Sequence, residues 1–200
     1  MHRLPVHWVL NVPGYRLAPV GDVIPWAKDA SRTLLLVLAA IAASGIILLG
    51  VRRVRQGSSA ALNATARDVA LASAISIVVV LTLLTPAPVD DAREPFFRLV
   101  PFEDLRDAIN GDRSLLVALS GLLGNVALFL PLGVSLRWRF PGLGVGQAGL
   151  VGLATSATIE FLQGLTGGGR WPDTTDVIMN SLGAVVGAVL GGIGAARSHE

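Results

Sequence analysis

Charged residues are scarce in this 200-residue chain: they make up only 15% of it, against 52% hydrophobic residues. A soluble domain of ordinary composition carries about 25% charged residues. With a mean hydropathy of +0.62, the composition therefore indicates a membrane protein. The basic pI near 9.9 could suggest nucleic acid as a partner. The basic residues lie between hydrophobic runs, however, as membrane topology places them, so no nucleic-acid partner is expected.

Cysteine is absent, which excludes disulfides and thiolate chemistry. The three histidines, His2, His7 and His199, lie near the chain ends, so a buried histidine base or a histidine-ligated metal is not expected. The sequence predicts no metal site and no cofactor. An internal repeat is also missing, which argues against the commonest designs of secondary transporters.

Long apolar runs are what the chain does contain. A membrane-spanning helix needs about 20 mostly apolar residues, and the runs lack the alternation of a β-barrel. They predict an all-α membrane protein, a bundle of about five transmembrane helices in the lipid bilayer. The predicted helices cover 33–51, 69–88, 114–135, 146–165 and 176–196.

The chain divides into three predicted parts. Residues 1–32 contain four Pro and four basic residues without a signal-peptide pattern, and Trp8 and Trp26 favour a tail at the membrane interface. Residues 33–68 are interpreted as an additional transmembrane helix with a basic loop. Residues 69–196 are interpreted as the main transmembrane domain.

The arginines predict the orientation, because Lys and Arg are enriched in short cytoplasmic loops. With five spans, the arginines after the first, third and fifth runs fall on one side, which we predict to be cytoplasmic together with the C-terminus. The loop 89–113, with seven acids and four Arg, and the loop 166–175 then lie outside. The cytoplasmic arginines are Arg52, Arg53, Arg55, Arg67, Arg137, Arg139 and Arg197.

Polar residues within the apolar runs are functional candidates, because ionisable groups are costly in lipid. Helical spacing places Glu160 and Gln163 on one face, and Asp176 and Asn180 on another. Asn125 is predicted to lie deeper, near the middle of the membrane. The sequence predicts one outward-facing polar cluster. Its members are Asn125, Glu160, Gln163, Arg170, Asp173, Asp176 and Asn180.

A purely structural interpretation of some of these residues stays open. Asp173 suits a helix N-cap, Asp176 suits the positive end of a helix dipole, and Arg170 could pair with either. Glu160 cannot be a cap. It must pair with Arg170, be protonated, or face water or a ligand.

Glycines recur at helical spacing in the third and fifth predicted helices. Small residues every fourth position let helix backbones approach closely in lipid. These faces predict helix packing within the chain, and they would also permit a homo-oligomer. The glycines concerned are Gly121, Gly183, Gly187 and Gly191.

Four motifs in order resemble the VanZ-like family, bacterial membrane proteins named after a teicoplanin-resistance protein. They are RLVPFEDL (98–105), GNVALFLPLGVSL (124–136), TSATIEFLQ (155–163) and GRWPDTTDVIMNSLGAVVG (169–187). The resemblance covers 99–191, and Arg98 stands where the family usually has Asn. The family's polar positions fall on the seven residues of the predicted cluster. Its structural positions fall on Pro101, Phe102, Phe129, Pro131 and Gly133.

Three functions remain open from the sequence. The resemblance implies a protein of the cell envelope that lowers sensitivity to lipoglycopeptide antibiotics, by binding an amphiphile or a cell-wall precursor or by altering the outer surface. A carboxylate-dependent enzyme acting on a lipid-linked substrate is the alternative, although no established catalytic motif occurs. A proton-coupled transporter using Glu160 is the third, and the small number of helices disfavours it.

Overall fold

Six helices form the fold of the computed structural model, which describes residues 20–83, 98–166 and 172–197. They are α1 (Val20–Gln56), α2 (Ser58–Leu83), α3 (Glu103–Asn110), α4 (Leu115–Arg139), α5 (Val145–Thr166) and α6 (Thr174–Arg197). All except α3 are long and apolar enough to cross a membrane. The predicted bundle of about five transmembrane helices is therefore confirmed.

Helices α1 and α2 form a hairpin with a one-residue connection. Gly57 has φ +83°, a left-handed conformation that glycine adopts without steric penalty, and it reverses the chain. Two expectations differ from this arrangement. Residues 52–68, predicted as a loop, are helical on both sides of Gly57, and residues 20–32, predicted as tail, belong to α1. Residues 1–19, with Trp8, lie outside the described residues.

Helices α4 and α6 form the centre of the bundle, and they run in the same direction. Gly183 lies against Val126, and Gly187 lies against Leu130, one turn further along both helices. A Cβ at either glycine would overlap a backbone carbonyl of α4. Gly191 lies close to the backbone of Val134. These three glycines make the close helix contact that their spacing predicts.

Gly121 does not belong to this contact. Among the described residues, nothing lies within 4 Å of a Cβ built on it, so it takes no part in the contact between α4 and α6. Gly121 lies closer to the start of α4 than the contact with Gly183 does, at a level where α4 borders a cavity instead of α6. Gly133 takes the packing role on α4, because a Cβ there would overlap the backbone of Ala184.

Helix α5 packs antiparallel on α6, with Gly149 near Val185 and Gly152 near Ala184. Helix α2 packs on α4, and α1 packs on α2 alone among the described helices. The apolar core lies between α2, α4 and α5. Its buried residues are Ala74, Val78, Phe129, Leu132, Leu136 and Ile159.

The two ends of the bundle differ in composition. At one end, which we call the α3 end, α4 and α6 begin, α2 and α5 finish, and the short helix α3 lies beside α4. At the other end, the arginine end, α1 turns into α2 and α4 turns into α5. The predicted polar residues that the structure describes belong to the α3 end.

Candidate functional site

Asp173 connects α5 to the start of α6. Its Oδ1 accepts a hydrogen bond of 2.7 Å from the backbone N–H of Thr175, which is the N-cap geometry of a helix that begins at Thr174. Its own backbone N–H donates to Oε2 of Glu160 at 2.9 Å. Asp173 is therefore both a cap and the neighbour of the Glu160 carboxylate.

Glu160 is a carboxylate in an almost closed environment, with 7% of its surface exposed. A buried carboxylate without hydrogen-bond partners is costly, so each donor that reaches it matters. The bond from Asp173 therefore supplies one of the interactions that a buried Glu160 needs. Arg170, the other predicted partner, lies outside the described residues.

Asp176 and Asn125 join the first turn of α6 to α4. The Asn125 Nδ2 donates to Asp176 Oδ1 at 2.5 Å. Asn125 is predicted to lie deeper, near the middle of the membrane, but its side chain reaches the level of Asp176. Side chains on a helix lean toward its N-terminus, and the N-terminus of α4 lies at the α3 end, so the lean brings Asn125 toward the cluster.

Asn180 lies one turn below Asp176 and is 3% exposed. Its Nδ2 donates to the hydroxyl of the fully buried Ser156 at 2.8 Å. Within the described residues its Oδ1 has no hydrogen-bond partner. Gln163 makes a different contact, because its Nε2 donates to the backbone carbonyl of Thr82 at 2.9 Å. Thr82 is next to the last residue of α2, so Gln163 caps a helix end.

Arg98 fastens the segment before α3 to the start of α6 through its main chain. Its N–H donates to Pro172 O at 2.9 Å, and its carbonyl accepts from Thr174 N at 3.1 Å. The guanidinium lies 2.9 Å from the Asp104 carboxylate and 3.9 Å from that of Asp173. The family's usual Asn could not place a cation there, so this chain has a positive charge between two of its acids.

Asp104 adds a further carboxylate to the site. It forms ion pairs with Arg98 and Arg113. Burial raises the pKa of the Asp104 carboxyl, the Arg98 charge opposes this, and the nearby Asp173 carboxylate adds to it. The net result is a pKa of the Asp104 carboxyl above its ordinary value.

A small cavity lies between α3, α4 and the start of α6. Its volume is about 70 Å³, enough for a few water molecules or a small polar group. Its lining combines apolar side chains with three carboxylates and a hydroxyl. The lining residues are Phe102, Asp104, Leu105, Val117, Ala118, Gly121, Leu122, Asp173, Thr175 and Asp176. Among the described residues, no three His, Cys, Asp or Glu side chains are placed to hold a metal ion.

A family model described as VanZ/LLP1 matches residues 69–193, more than half of the chain. The chain belongs to the VanZ-like family. No curated protein and no solved structure matches it. The match begins within α2, so α1 lies outside it.

The four VanZ-like motifs contact one another around the start of α6, and the first and last of them line the cavity. Phe102 from the first motif has φ +60°, an uncommon left-handed conformation for a residue with a side chain. Its N–H donates to the Thr175 hydroxyl at 2.8 Å, so the strained turn is fixed directly to the last motif. Asn125 of the second motif donates a hydrogen bond to Asp176. Glu160 of the third motif accepts one from the backbone N–H of Asp173.

Sequence reasoning missed two residues of this VanZ-like site. Asp104 belongs to the motif RLVPFEDL. The loop around it carries seven acids, and nothing in their spacing distinguishes Asp104 from the others. Thr175 stands between two predicted residues, and it is 7% exposed. Its hydroxyl accepts from Phe102 and its N–H donates to Asp173, contacts that no local pattern encodes.

Proposed function

We propose that this VanZ-like membrane protein lowers sensitivity to lipoglycopeptide antibiotics by binding the polar part of an amphiphile at the α3 end. The observation that carries the proposal is the cavity between α3, α4 and α6, which Asp104, Asp173 and Asp176 line together with apolar side chains. A carboxylate-lined cavity beside apolar helices suits a molecule with a hydrogen-bond donor or a positive group at one end and a lipid tail at the other.

The size of the cavity limits what enters. About 70 Å³ takes a small polar group, such as an ammonium or a few hydroxyls, and excludes the rest of an amphiphile. The remainder of the ligand would lie on the lipid-facing side of the bundle. Exposed apolar side chains cover that surface, among them Leu116 and Leu123 of α4. These two features support an amphiphile over a fully water-soluble ligand.

A second function is favoured by the same acids. Two neighbouring carboxyl groups can act as a general acid and a general base on one bound substrate. Asp104 and Asp176 both line the cavity, so a carboxylate-dependent reaction on a lipid-linked substrate is the alternative. It predicts substrate turnover, whereas the binding function predicts a saturable, stoichiometric complex.

The test is antibiotic susceptibility in a sensitive bacterium that expresses the full chain. We expect the wild type to raise the inhibitory concentration of teicoplanin, and Glu160→Gln and Asp176→Asn to abolish that effect at equal membrane abundance. Asp112→Asn is the matched control, because Asp112 is an exposed acid next to the same helix α3. It should protect like the wild type.

Two results would contradict the proposal. If Glu160→Gln and Asp176→Asn protect as well as the wild type, the polar cluster is structural only. If the wild type gives no protection, the antibiotic role does not apply to this chain.

A further inference from the structure

The arginine end of the bundle concentrates positive charge. Residues 51–68 and 134–145 contain six arginines and a single acid, Asp68, which gives these segments a formal charge of +5. A positive-inside bias accounts for the number of arginines. It does not account for how two of them are held in place.

Asp68 of α2 links two arginines from different helices. Its Oδ2 lies 2.7 Å from Nη2 of Arg52 on α1. Its Oδ1 accepts from Nε of Arg139 at the end of α4. One carboxylate thus positions two guanidiniums side by side, and the group of three keeps a net charge of +1.

Each of the two guanidiniums has N–H groups besides the one that bonds to Asp68. Nη1 of Arg52 is buried and has no hydrogen-bond partner within the described residues. Arg139 uses only Nε on the carboxylate, stacks over Phe140 at 5.0 Å, and keeps 40% of its side chain exposed. A buried donor without a partner is costly, so the pair is short of an acceptor.

The neighbouring arginines are different. Arg137 donates to the carbonyls of Pro141 and Leu143, and this caps the turn between α4 and α5. Arg53 and Arg67 are exposed on α1 and α2. Arg55 is exposed as well. Arg52 and Arg139 are therefore the pair that Asp68 holds, with the Arg139 guanidinium open to a ligand and the Arg52 side chain 20% exposed beside it.

The surroundings of the pair fit the membrane interface. Trp138 and Phe140 flank Arg139 and are 46% and 45% exposed, and aromatic residues concentrate at the level of lipid headgroups. Val51 and Val54 flank Arg52 with exposed apolar surface. A ligand here would meet cations at its head and apolar side chains along its tail.

We propose that Arg52 and Arg139, held together by Asp68, bind the headgroup phosphate of an anionic phospholipid. Guanidiniums suit this role because their planar donors match phosphate oxygens. Basic pockets between transmembrane helices bind such headgroups. The bound lipid would also connect α1, which lies outside the VanZ-like match, to α2 and α4.

The experiment is native mass spectrometry of the purified full chain in detergent, with phosphatidylglycerol or phosphatidylcholine added at equal concentration. The wild type should retain phosphatidylglycerol about tenfold more strongly. Arg52→Gln and Arg139→Gln should each weaken that retention at least fivefold. Arg67→Gln removes the same charge from an exposed position, and it should change retention less than twofold.

The outcomes separate a defined site from general attraction. Equal retention of the two lipids by the wild type would overturn the proposal without any variant being needed. Equal losses in all three variants would also overturn it, because diffuse charge would then suffice. If millimolar inorganic phosphate displaces phosphatidylglycerol completely, the site is for a free anion and not for a lipid. Arg139→Lys, which keeps the charge, should retain more lipid than Arg139→Gln.

Discussion

At the scale of single residues, some polar side chains at the α3 end cap helices, and others form the candidate site. Asp173 is a cap, as one interpretation of the sequence predicts, and Gln163 serves the end of α2. Glu160 and Asp176 have tertiary partners instead. The sequence could select these residues because charge within an apolar run is conspicuous. It could not pair them, since the pairs depend on which helices are neighbours.

We expect Asn125→Ala to lower the free energy of unfolding by about 1–3 kcal/mol, because it removes a hydrogen bond to a partly buried carboxylate. The measurement is unfolding in mixed micelles with increasing SDS. Ser120→Ala on the same helix is the control, since its hydroxyl bonds only to its own helix at Val117. Equal stability of the two variants would show that the Asn125–Asp176 contact contributes nothing.

Arg98 offers a test of main-chain against side-chain contributions. We expect Arg98→Asn to cost under about 1 kcal/mol, because its ion pairs with Asp104 and Asp173 are partly exposed. Arg98→Pro should cost clearly more, since it removes the N–H that bonds to Pro172. Thermal unfolding of the three proteins compares them. A larger loss in Arg98→Asn would instead assign the role to the guanidinium.

At the scale of helices, the apolar runs predicted the five long helices. They did not predict the full lengths of those helices or the short helix α3. The α1–α2 hairpin extends beyond the apolar runs because a polar segment can stay helical outside the membrane, and only Gly57 breaks it. Helix α3 has eight residues in an acidic loop, too short for the 20-residue criterion that found the others. It packs on α4, and Phe102 just before it is held by a hydrogen bond to Thr175 of α6.

The glycine contact between α4 and α6 gives a sharp comparison. We expect Gly187→Ala to destabilise the protein by about 1–3 kcal/mol, because the new methyl group overlaps the Leu130 carbonyl and the helices must separate. Gly121→Ala has open space around it, so alanine's helix propensity should leave stability unchanged or raise it by up to about 1 kcal/mol. SDS unfolding of both variants checks this. Similar losses would contradict the assigned contact.

At the scale of the whole molecule, two polar ends with different charge face opposite sides of one apolar bundle. The arginine excess predicts that the α3 end is extracytoplasmic, where a cell-surface antibiotic or precursor would meet it. The natural chain has no cysteine, so single substitutions can be labelled without background.

We expect Asp112→Cys at the α3 end to react with a membrane-impermeant maleimide in intact cells. Arg55→Cys at the arginine end should react only after the membrane is permeabilised. Both positions are exposed, so burial does not limit either reaction. The reverse pattern would place the polar cluster in the cytoplasm and remove the basis for an encounter with extracellular ligands.

The central claim is that the cavity acids bind an amphiphile, and teicoplanin binding to the purified chain in lipid nanodiscs tests it most directly. We predict saturable binding to the wild type, at least tenfold weaker binding to Asp176→Asn, and unchanged binding to Asp112→Asn. Loss of one charge-assisted hydrogen bond from a partly buried site is large enough for that difference. Equal binding to wild type and Asp176→Asn, or no binding to the wild type, would contradict the account.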